Sequence, residues 1–443
     1  MRFGTDGLRG EWGKPPLDPD TLRRVAAALG VWLQNSGPDQ KRVLLGHDGR
    51  KSGPMILQVL ANGLTAAEVA CTDVGLVTTP ALATLVRESN VVAGVMISAS
   101  HNPARDNGIK IFLHDGTKLP DEAEREIEAL TARVDVEDQE ADARIKPRRE
   151  LIALYEDRLR NVFADLDLTG VRVAVDGANG GGSAIAPRLL HAFGAEVIPM
   201  ACAPDGENIN AGVGALHPEA LASVVTKQGA TLGVCLDGDG DRGIFVDETG
   251  RVHDGDAVLA TLAPHLRDRG LLPHDRVVAT VMSNLGLKRS LARAGIDLVT
   301  TPVGDRHVVQ AMRAGGYGLG GEQSGHIVFG GEGRLTGDGL FTALMLLTLP
   351  EARTSGFAAA FASFERFPQL LLNLPVVSKP PLDSLPQVQQ AVHEVEARLG
   401  ADGRVVLRYS GTENLCRVMV EGPDASLVRQ YAELIADAVR RST

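Results

Sequence analysis

The sequence predicts an α/β protein made of three α/β domains with mixed sheets plus a C-terminal α+β domain. Through most of the chain, short apolar runs of strand length alternate with stretches of helical periodicity, which is the pattern of layered α/β structure. Beyond Pro368 the order changes to strand, helix, two strands and a last helix, which reads as a small α+β unit. The length of 443 residues suggests about three domains, each large enough for its own core, and the pattern adds a fourth. The expected boundaries are 1–157, 158–254, 255–367 and 368–443.

In the first domain Leu22, Val25, Ala26, Leu29 and Leu33 recur at helical spacing behind Asp20. Strands are expected at 42–46, 68–74, 91–97 and 109–113. The charged stretch 135–150 reads as a solvated surface segment before a helix around 151–163. The second domain opens with a strand at 171–175, a glycine-rich turn over 176–183 and a helix at 184–193. That turn lacks the spacing of either phosphate-binding glycine motif, so a tight strand-to-helix connection is expected there. Strands at 231–236 and 243–247 flank an acidic glycine loop. The third domain starts near 253–256, with strands at 277–281 and 297–301 and helices at 305–314 and 339–349. In the last domain a strand at 370–377 precedes a helix with Val388, Val392, Val395 and Leu399 on one face, then strands at 404–409 and 415–421 and a final helix. The first three domains read as structural repeats of β-α-β units, although no fixed sequence period runs through them.

Composition excludes several classes of function. Hydrophobic residues at 44% and charged residues at 23% describe a globular chain and exclude a disordered one. A net charge of −11, with no run of Lys and Arg among aromatics, argues against nucleic-acid binding. Cys71, Cys202, Cys235 and Cys416 lie far apart with no C-x-x-C spacing, which suits reduced thiols in a cytoplasmic protein. The first residues, with Arg2, Asp6, Arg9 and Glu11, lack the apolar core of a signal peptide, and no apolar run reaches membrane-spanning length. A soluble protein without membrane partners is expected, and a homodimer is compatible with it.

Asp237-Gly238-Asp239-Gly240-Asp241-Arg242 is the most specific chemical signal. Carboxylates separated only by glycines can converge on one hard cation, and Mg²⁺ takes oxygen ligands while keeping positions open for a phosphate. Arg242 adds a fixed positive charge beside them. A calcium loop competes, because Asp237, Asp239, Asp241 and Glu248 match four of its ligand positions. It fails on context: Arg242 stands where the sharp turn needs Gly, and the flanks read as strands where helices are required.

Ser98-Ala99-Ser100-His101-Asn102-Pro103 follows an apolar strand, so a hydroxyl is presented at the carboxyl edge of a sheet, where ligands of open α/β sheets collect. The same residues also suit a capped turn. A serine hydrolase is disfavoured, since G-x-S-x-G is absent and no acid partner for His101 can be assigned. Phosphoryl chemistry fits better, because there the protein chiefly positions groups and neutralises charge. Three aspartates and one Mg²⁺ leave one negative charge, so a phosphorylated serine beside them calls for several cations; Arg9, Lys110 and Arg242 are at hand. Glu322, Ser324 and His326 in GEQSGH offer a carboxylate, a hydroxyl and an imidazole in a flexible loop suited to sugar hydroxyls, or a plain polar turn. Arg408, Ser410, Gly411 and Thr412 offer a guanidinium, hydroxyls and backbone N–H groups between two strands, suited to a phosphate or to an ordinary hairpin.

In order along the chain, FGTDGLRG at 3–10, SASHNP at 98–103, DGDGDR at 237–242, TPVGDR at 301–306, GEQSGH at 321–326 and RYSGTEN at 408–414 resemble the motif set of the α-D-phosphohexomutases. GEQSGH and the N-terminal motif are most similar to the branch acting on glucosamine phosphates, while Tyr409 and Asn414 depart from the usual pattern. The resemblance implies four domains around a central cleft, a sugar-phosphate substrate, and a phosphate carried on Ser100 with Ser98 as a structural neighbour. It implies one Mg²⁺ held by Asp237, Asp239, Asp241 and the phosphorylated Ser100. Glu322 and Ser324, with His326 in the same loop, would meet the sugar, and Arg408, Ser410, Gly411 and Thr412 the distal phosphate. Arg9, His101, Lys110 and Arg242 would stabilise the transferring group or move protons. The implied reaction interconverts glucosamine 6-phosphate and glucosamine 1-phosphate through a bound 1,6-bisphosphate, for amino-sugar and cell-wall precursor synthesis. Mannose or glucose phosphates as substrates, or a non-catalytic sugar-phosphate-binding protein, are the alternatives.

Overall fold

The structure is a computed structural model that describes residues 2–4, 7–34, 41–134, 143, 145–331, 335–410 and 414–442. The first sheet holds β1 (Leu8–Glu11), β2 (Arg42–His47), β3 (Ala70–Leu76), β4 (Ala93–Ile97), β5 (Asp106–Leu113) and β6 (Lys146–Pro147), in the order β1-β5-β4-β2-β3-β6. The second holds β7 (Arg172–Asp176), β8 (Glu196–Met200), β9 (Leu232–Leu236), β10 (Gly243–Asp247) and β11 (Val252–His253), in the order β11-β10-β9-β7-β8. The third holds β12 (Arg276–Thr280), β13 (Asp297–Thr301), β14 (Leu319–Gly321) and β15 (Ile327–Phe329), in the order β13-β12-β14-β15. The last is antiparallel, β16 (Gln369–Pro375), β18 (Leu415–Glu421) and β17 (Arg404–Tyr409) side by side.

Without the edge strands β1, β6 and β11, the first three sheets follow one plan: β5-β4-β2-β3, β10-β9-β7-β8 and β15-β14-β12-β13. In each, a central strand has parallel neighbours on both sides, and one neighbour then turns back into an antiparallel partner. Parallel neighbours need crossovers, and each is supplied by a helix, such as Gly53–Ala66 between β2 and β3, Gly182–Ala192 between β7 and β8, and Leu285–Arg293 between β12 and β13. The repetition inferred from sequence is therefore one of topology. It puts the turn-back loops 98–105, 237–242 and 322–326 at equivalent places, and these are the loops that carry the three central motifs.

The packing divides the molecule unequally. One apolar cluster runs from Leu44 and Val77 through Leu236 and Phe245 to Leu319 and Phe341, so the first three sheets share a continuous interior. The last sheet has its own core around Val395, Val418, Val420 and Ile435. Polar contacts join it to the third domain: Arg404, held by Glu421 within the last sheet, donates to Val281 O at 3.1 Å and to Ser283 O, the Leu285 amide donates to Glu421 Oε1 at 2.6 Å, and Arg289 donates to Asp402.

Most expected elements are present. The helix Pro19–Gln34 buries Leu22, Val25, Ala26, Leu29 and Leu33, and Asp20 lies in its first turn where the helix dipole favours an anion. Some differ. The helix expected over 339–349 is Gly339–Leu347, because Pro350 opens a separate helix, Pro350–Ser355, and excludes α conformation from the residue before it. The N-terminal motif, to which no element was assigned from sequence, yields β1, whose Arg9 pairs with Gly108. Of the charged stretch 135–150, residues 135–142 and 144 lie outside the described residues, and Lys146–Pro147 extends the first sheet beside β3.

Candidate active site

The turn-back loop after β4 presents Ser100 in the left-handed region, at φ +53°, which a non-glycine residue adopts only when its surroundings hold it there. The Ser100 amide donates to Ser98 Oγ at 2.8 Å, so Ser98 shapes the loop and is fully buried. Ser100 Oγ donates to Asp237 Oδ2 at 2.7 Å and stands 3.3 Å from His101 Nδ1. The carboxylate comes from the second sheet, 137 residues further along the chain. Ser100 and the aspartates thus face each other across the seam between two domains.

Asp237, Asp239 and Asp241 are all buried, with one oxygen of each within 4.8 Å of the others. The glycine spacers are needed: a Cβ on Gly238 would lie 2.7 Å from Ser100 O, and Gly240 has φ +68°. The glycine-rich turn over 176–183 braces this loop, since the Gly181 amide donates to Gly238 O at 2.8 Å; it is the tight connection the sequence suggests. The flanking segments are strands, and Glu248, the last ligand position of the calcium pattern, instead accepts from the Phe357 amide at 2.9 Å.

Cations surround the acids. Lys110, on β5 and buried, donates to Asp239 Oδ2 at 2.8 Å and to Asp241 Oδ2 at 3.1 Å. Arg242 Nε lies 4.0 Å from Asp237 Oδ2 and 3.9 Å from Asp241 Oδ1. Arg9 Nη1 donates to Ala99 O at 3.3 Å, at the edge of the serine loop. Burial works against the charge of Arg242, yet Asp237, Asp241 and Glu322 hold its proton affinity above the ordinary value. For His101 burial, with Arg242 and Arg9 adding like charge, pushes the imidazole down to about 4, so it is neutral at pH 7. Thr79 was missed from sequence: its hydroxyl donates to Asp239 Oδ2 at 2.5 Å and its amide to Asp239 O at 2.8 Å, from the start of the helix Thr79–Glu88. The Thr-Thr-Pro helix-start signal was legible, but its acidic partner was not.

The three carboxylates fit a divalent cation. They are hard oxygen donors converging on one point, and Asp241 Oδ1 is buried with no hydrogen-bond partner among the described residues. Burial, then the crowding of Asp241 and Asp239, raises the proton affinity of Asp237 well above the carboxylate range, as expected for an acid cluster short of positive charge.

The loop with Glu322, Ser324 and His326 is the tight hairpin turn between β14 and β15, closed by Glu322 N to His326 O and Gly325 N to Glu322 O, both 3.0 Å; this replaces the flexible loop expected. It lies against the metal loop, as the Gly243 amide donates to Gly325 O at 3.0 Å. Glu322 Oε1 accepts from the Gly304 amide at 3.2 Å, which ties TPVGDR to the same turn. Ser324 is exposed. His326 is buried, its ring nitrogens have no hydrogen-bond partner among the described residues, and it lines a cavity of about 590 Å³ with Lys118 and Arg306.

Arg408 lies within β17, directly opposite Arg417 of β18, instead of in the loop that follows. Burial and then Arg417 lower its hold on a proton, and Arg408 Nε has no hydrogen-bond partner among the described residues. Two arginines opposite each other on neighbouring strands suit an external anion; sequence reading missed Arg417 because only the strand register reveals the pair. Ser410 is buried and its amide closes onto Leu415 O at 2.8 Å, whereas Gly411 and Thr412 lie outside the described residues. Tyr409, the departure from the family pattern, donates to Pro380 O at 2.9 Å.

A serine hydroxyl in contact with a buried carboxylate triplet, ringed by Lys110, Arg242 and Arg9, is equipped to move phosphoryl groups between oxygens. The comparisons agree with that chemistry. Models of the phosphoglucomutase/phosphomannomutase alpha/beta/alpha domains I, II and III match residues 1–138, 153–250 and 254–367, and that of the C-terminal domain matches 371–438. The chain belongs to the phosphoglucomutase/phosphomannomutase family, the α-D-phosphohexomutases, and is an enzyme of the mutase class. Within that family it is similar to the phosphoglucosamine mutases of Solibacter usitatus, 44% identical over 99% of this chain and 98% of that protein, and of Cereibacter sphaeroides, 45% identical over 99% and 98%. Among solved structures, a phosphoglucomutase/phosphomannomutase family protein from Burkholderia thailandensis shares the fold with a TM-score of 0.80 at 24% identity, over 99% of this chain and 97% of that one. An Aspergillus fumigatus N-acetylphosphoglucosamine mutase, solved with GlcNAc-6P and magnesium, has a TM-score of 0.64 at 20% identity, over 92% and 84%.

Proposed function

We propose that the protein interconverts glucosamine 6-phosphate and glucosamine 1-phosphate, with Ser100 as the phosphoryl carrier. The observation that carries the reading is the contact of Ser100 Oγ with Asp237 Oδ2 at 2.7 Å, across the seam between two domains. The sugar is chosen on the full-length similarity to phosphoglucosamine mutases. The product would feed amino-sugar and cell-wall precursor synthesis, in the cytoplasm. Among the described residues no helix is long and apolar enough to cross a membrane.

In the active form Ser100 would carry a phosphate, and Asp237, Asp239 and Asp241 would hold Mg²⁺ beside it. When bound, the ion supplies neutralisation of phosphoryl charge. Transfer breaks the bond from phosphorus to Ser100 Oγ as one forms to the free hydroxyl of the sugar phosphate, whose proton passes by way of a base of the site to the departing Ser100 Oγ; the products are the 1,6-bisphosphate and the free serine hydroxyl. Lys110, Arg242 and Arg9 stabilise the moving group. His101, neutral at pH 7, offers Nδ1 as a proton acceptor 3.3 Å from the seryl oxygen. Glu322, Ser324 and His326 hold the sugar, while Arg408, Ser410, Gly411 and Thr412, joined by Arg417, hold the distal phosphate. The bisphosphate then turns end for end, and its other phosphate returns to Ser100. A last domain with its own core suits that turn.

Assays with glucosamine, mannose and glucose phosphates test the reading: kcat/KM should be about tenfold or more higher for glucosamine 6-phosphate. A preference for the mannose or glucose substrate would place the protein in another branch. Arg408→Ala should raise KM by about tenfold or more and leave Mg²⁺ affinity unchanged, since β17 and the aspartate loop belong to separate sheets. Titration calorimetry with Mg²⁺ checks the second half; an equal loss of metal binding would contradict the assigned role.

A further inference from the structure

We infer that Arg50 and Asn210 are positioning residues, gripping the peptide carbonyls of the serine loop from two domains and so aiming the Ser100 hydroxyl at the acidic cluster. The inference rests on Ser100 being the phosphoryl carrier. Arg50 follows β2 and is fully buried, behind the serine loop. Its Nε donates to Asp48 Oδ2 at 2.9 Å. Its Nη1 donates to Asp106 O at 2.8 Å and to Pro103 O, and its Nη2 to Ser100 O at 3.0 Å and Asn102 O at 2.9 Å. All the N–H groups of the guanidinium are thereby used, and all but one go to carbonyls of the serine loop and of Asp106, where β5 begins. An arginine present only to neutralise Asp48 would have no need to collect them.

Asn210 approaches the same carbonyls from the second domain, Nδ2 donating to Ser100 O at 2.9 Å and to Asn102 O at 3.1 Å. It is itself held at φ +57°, with its amide on Ala178 O at 2.9 Å, in the turn that also braces Gly238. Ser100 O and Asn102 O are each shared between the two donors. Pulling Ser100 O to that side keeps the residue at φ +53°, and this conformation delivers Oγ to Asp237. Without the donors the residue is free to relax to negative φ, which carries the hydroxyl off the line of transfer. A misplacement of about 1 Å can cost on the order of 100-fold in rate. Lysine cannot replace the guanidinium, having three donors around one point in place of a planar fork.

The test compares Arg50→Lys and Asn210→Ala with the unaltered protein in Mg²⁺. It measures kcat and KM, the rate at which Ser100 gains phosphate from glucose 1,6-bisphosphate by intact-mass spectrometry, and the melting temperature. Arg50→Lys should lower kcat and the phosphorylation rate by about 100-fold and Asn210→Ala by about tenfold, with KM within about twofold. Unchanged kcat per phosphorylated molecule, with only a lower melting temperature or a smaller active fraction, overturns the inference, as does a loss confined to KM. Should Arg50→Lys fail to fold, Asn210→Ala decides alone, because it enters from the other domain. If the unaltered protein neither gains phosphate on Ser100 nor turns over, the carrier reading fails and the inference falls with it.

Discussion

Ser100→Ala is expected to abolish mutase turnover and to remove the single phosphate carried by the active protein. Among the described residues the two neighbouring hydroxyls are not placed to take over. The loop offers Ser98 as its second hydroxyl, but Ser98 is buried and its Oγ accepts the Ser100 amide at 2.8 Å. Thr79 reaches the cluster, yet its hydroxyl is committed to Asp239 Oδ2 at 2.5 Å. The residual rate should sit at least about 10⁴-fold below the unaltered enzyme, since loss of a covalent carrier removes the route and leaves only binding. The fold should persist, because the alanine keeps the loop carbonyls that Arg50 and Asn210 hold. Intact-mass spectrometry and a coupled assay read both halves. Full turnover in the variant would end the proposed mechanism.

Asp237→Asn should separate stability from activity. Activity is expected to fall by about 10³-fold or more as the metal loses a charged ligand. Stability of the metal-free protein should move the other way. The folded-state proton affinity of Asp237 is raised, first by burial and then by Asp241 and Asp239, so the protonated group favours the fold and that contribution is lost as pH rises through the folded value. Asparagine copies the protonated form at every pH. The advantage of the variant in melting temperature should therefore grow as pH rises above the ordinary carboxylate value of about 4. Mg²⁺ should raise the melting temperature of the unaltered protein and do so far less for the variant. Scanning calorimetry with and without the ion checks this; a variant less stable than the parent in metal-free buffer would mean that the acid cluster is already charge-balanced.

Chemistry concentrated in a few neighbouring residues was the part legible in the sequence. The aspartate loop was readable because its ligands and glycine spacers occupy six consecutive positions, and Ser100 because an apolar strand leads to it. What the sequence hid depends on contacts between distant segments. Asn210 is 110 residues from Ser100, and Arg417 matters only through its register with Arg408. The strands β14 and β15 have three residues each, and one holds two glycines, too short and too poor in β-branched residues to show periodicity. The repeated β-α-β plan of the first three domains was legible only as an alternation of elements: crossover helices and loops differ in length, so topology repeats without a sequence period.

The distance between Ser100 and Asp237 along the chain also orders events during translation. The serine leaves the ribosome 137 residues ahead of its carboxylate partner, so throughout that interval the nascent polypeptide has a hydroxyl without the acidic half of its reaction centre. The two halves of the proposed carrier site can therefore meet only after the second sheet has been synthesised and docked, and a product truncated before it lacks the carboxylate that faces Ser100.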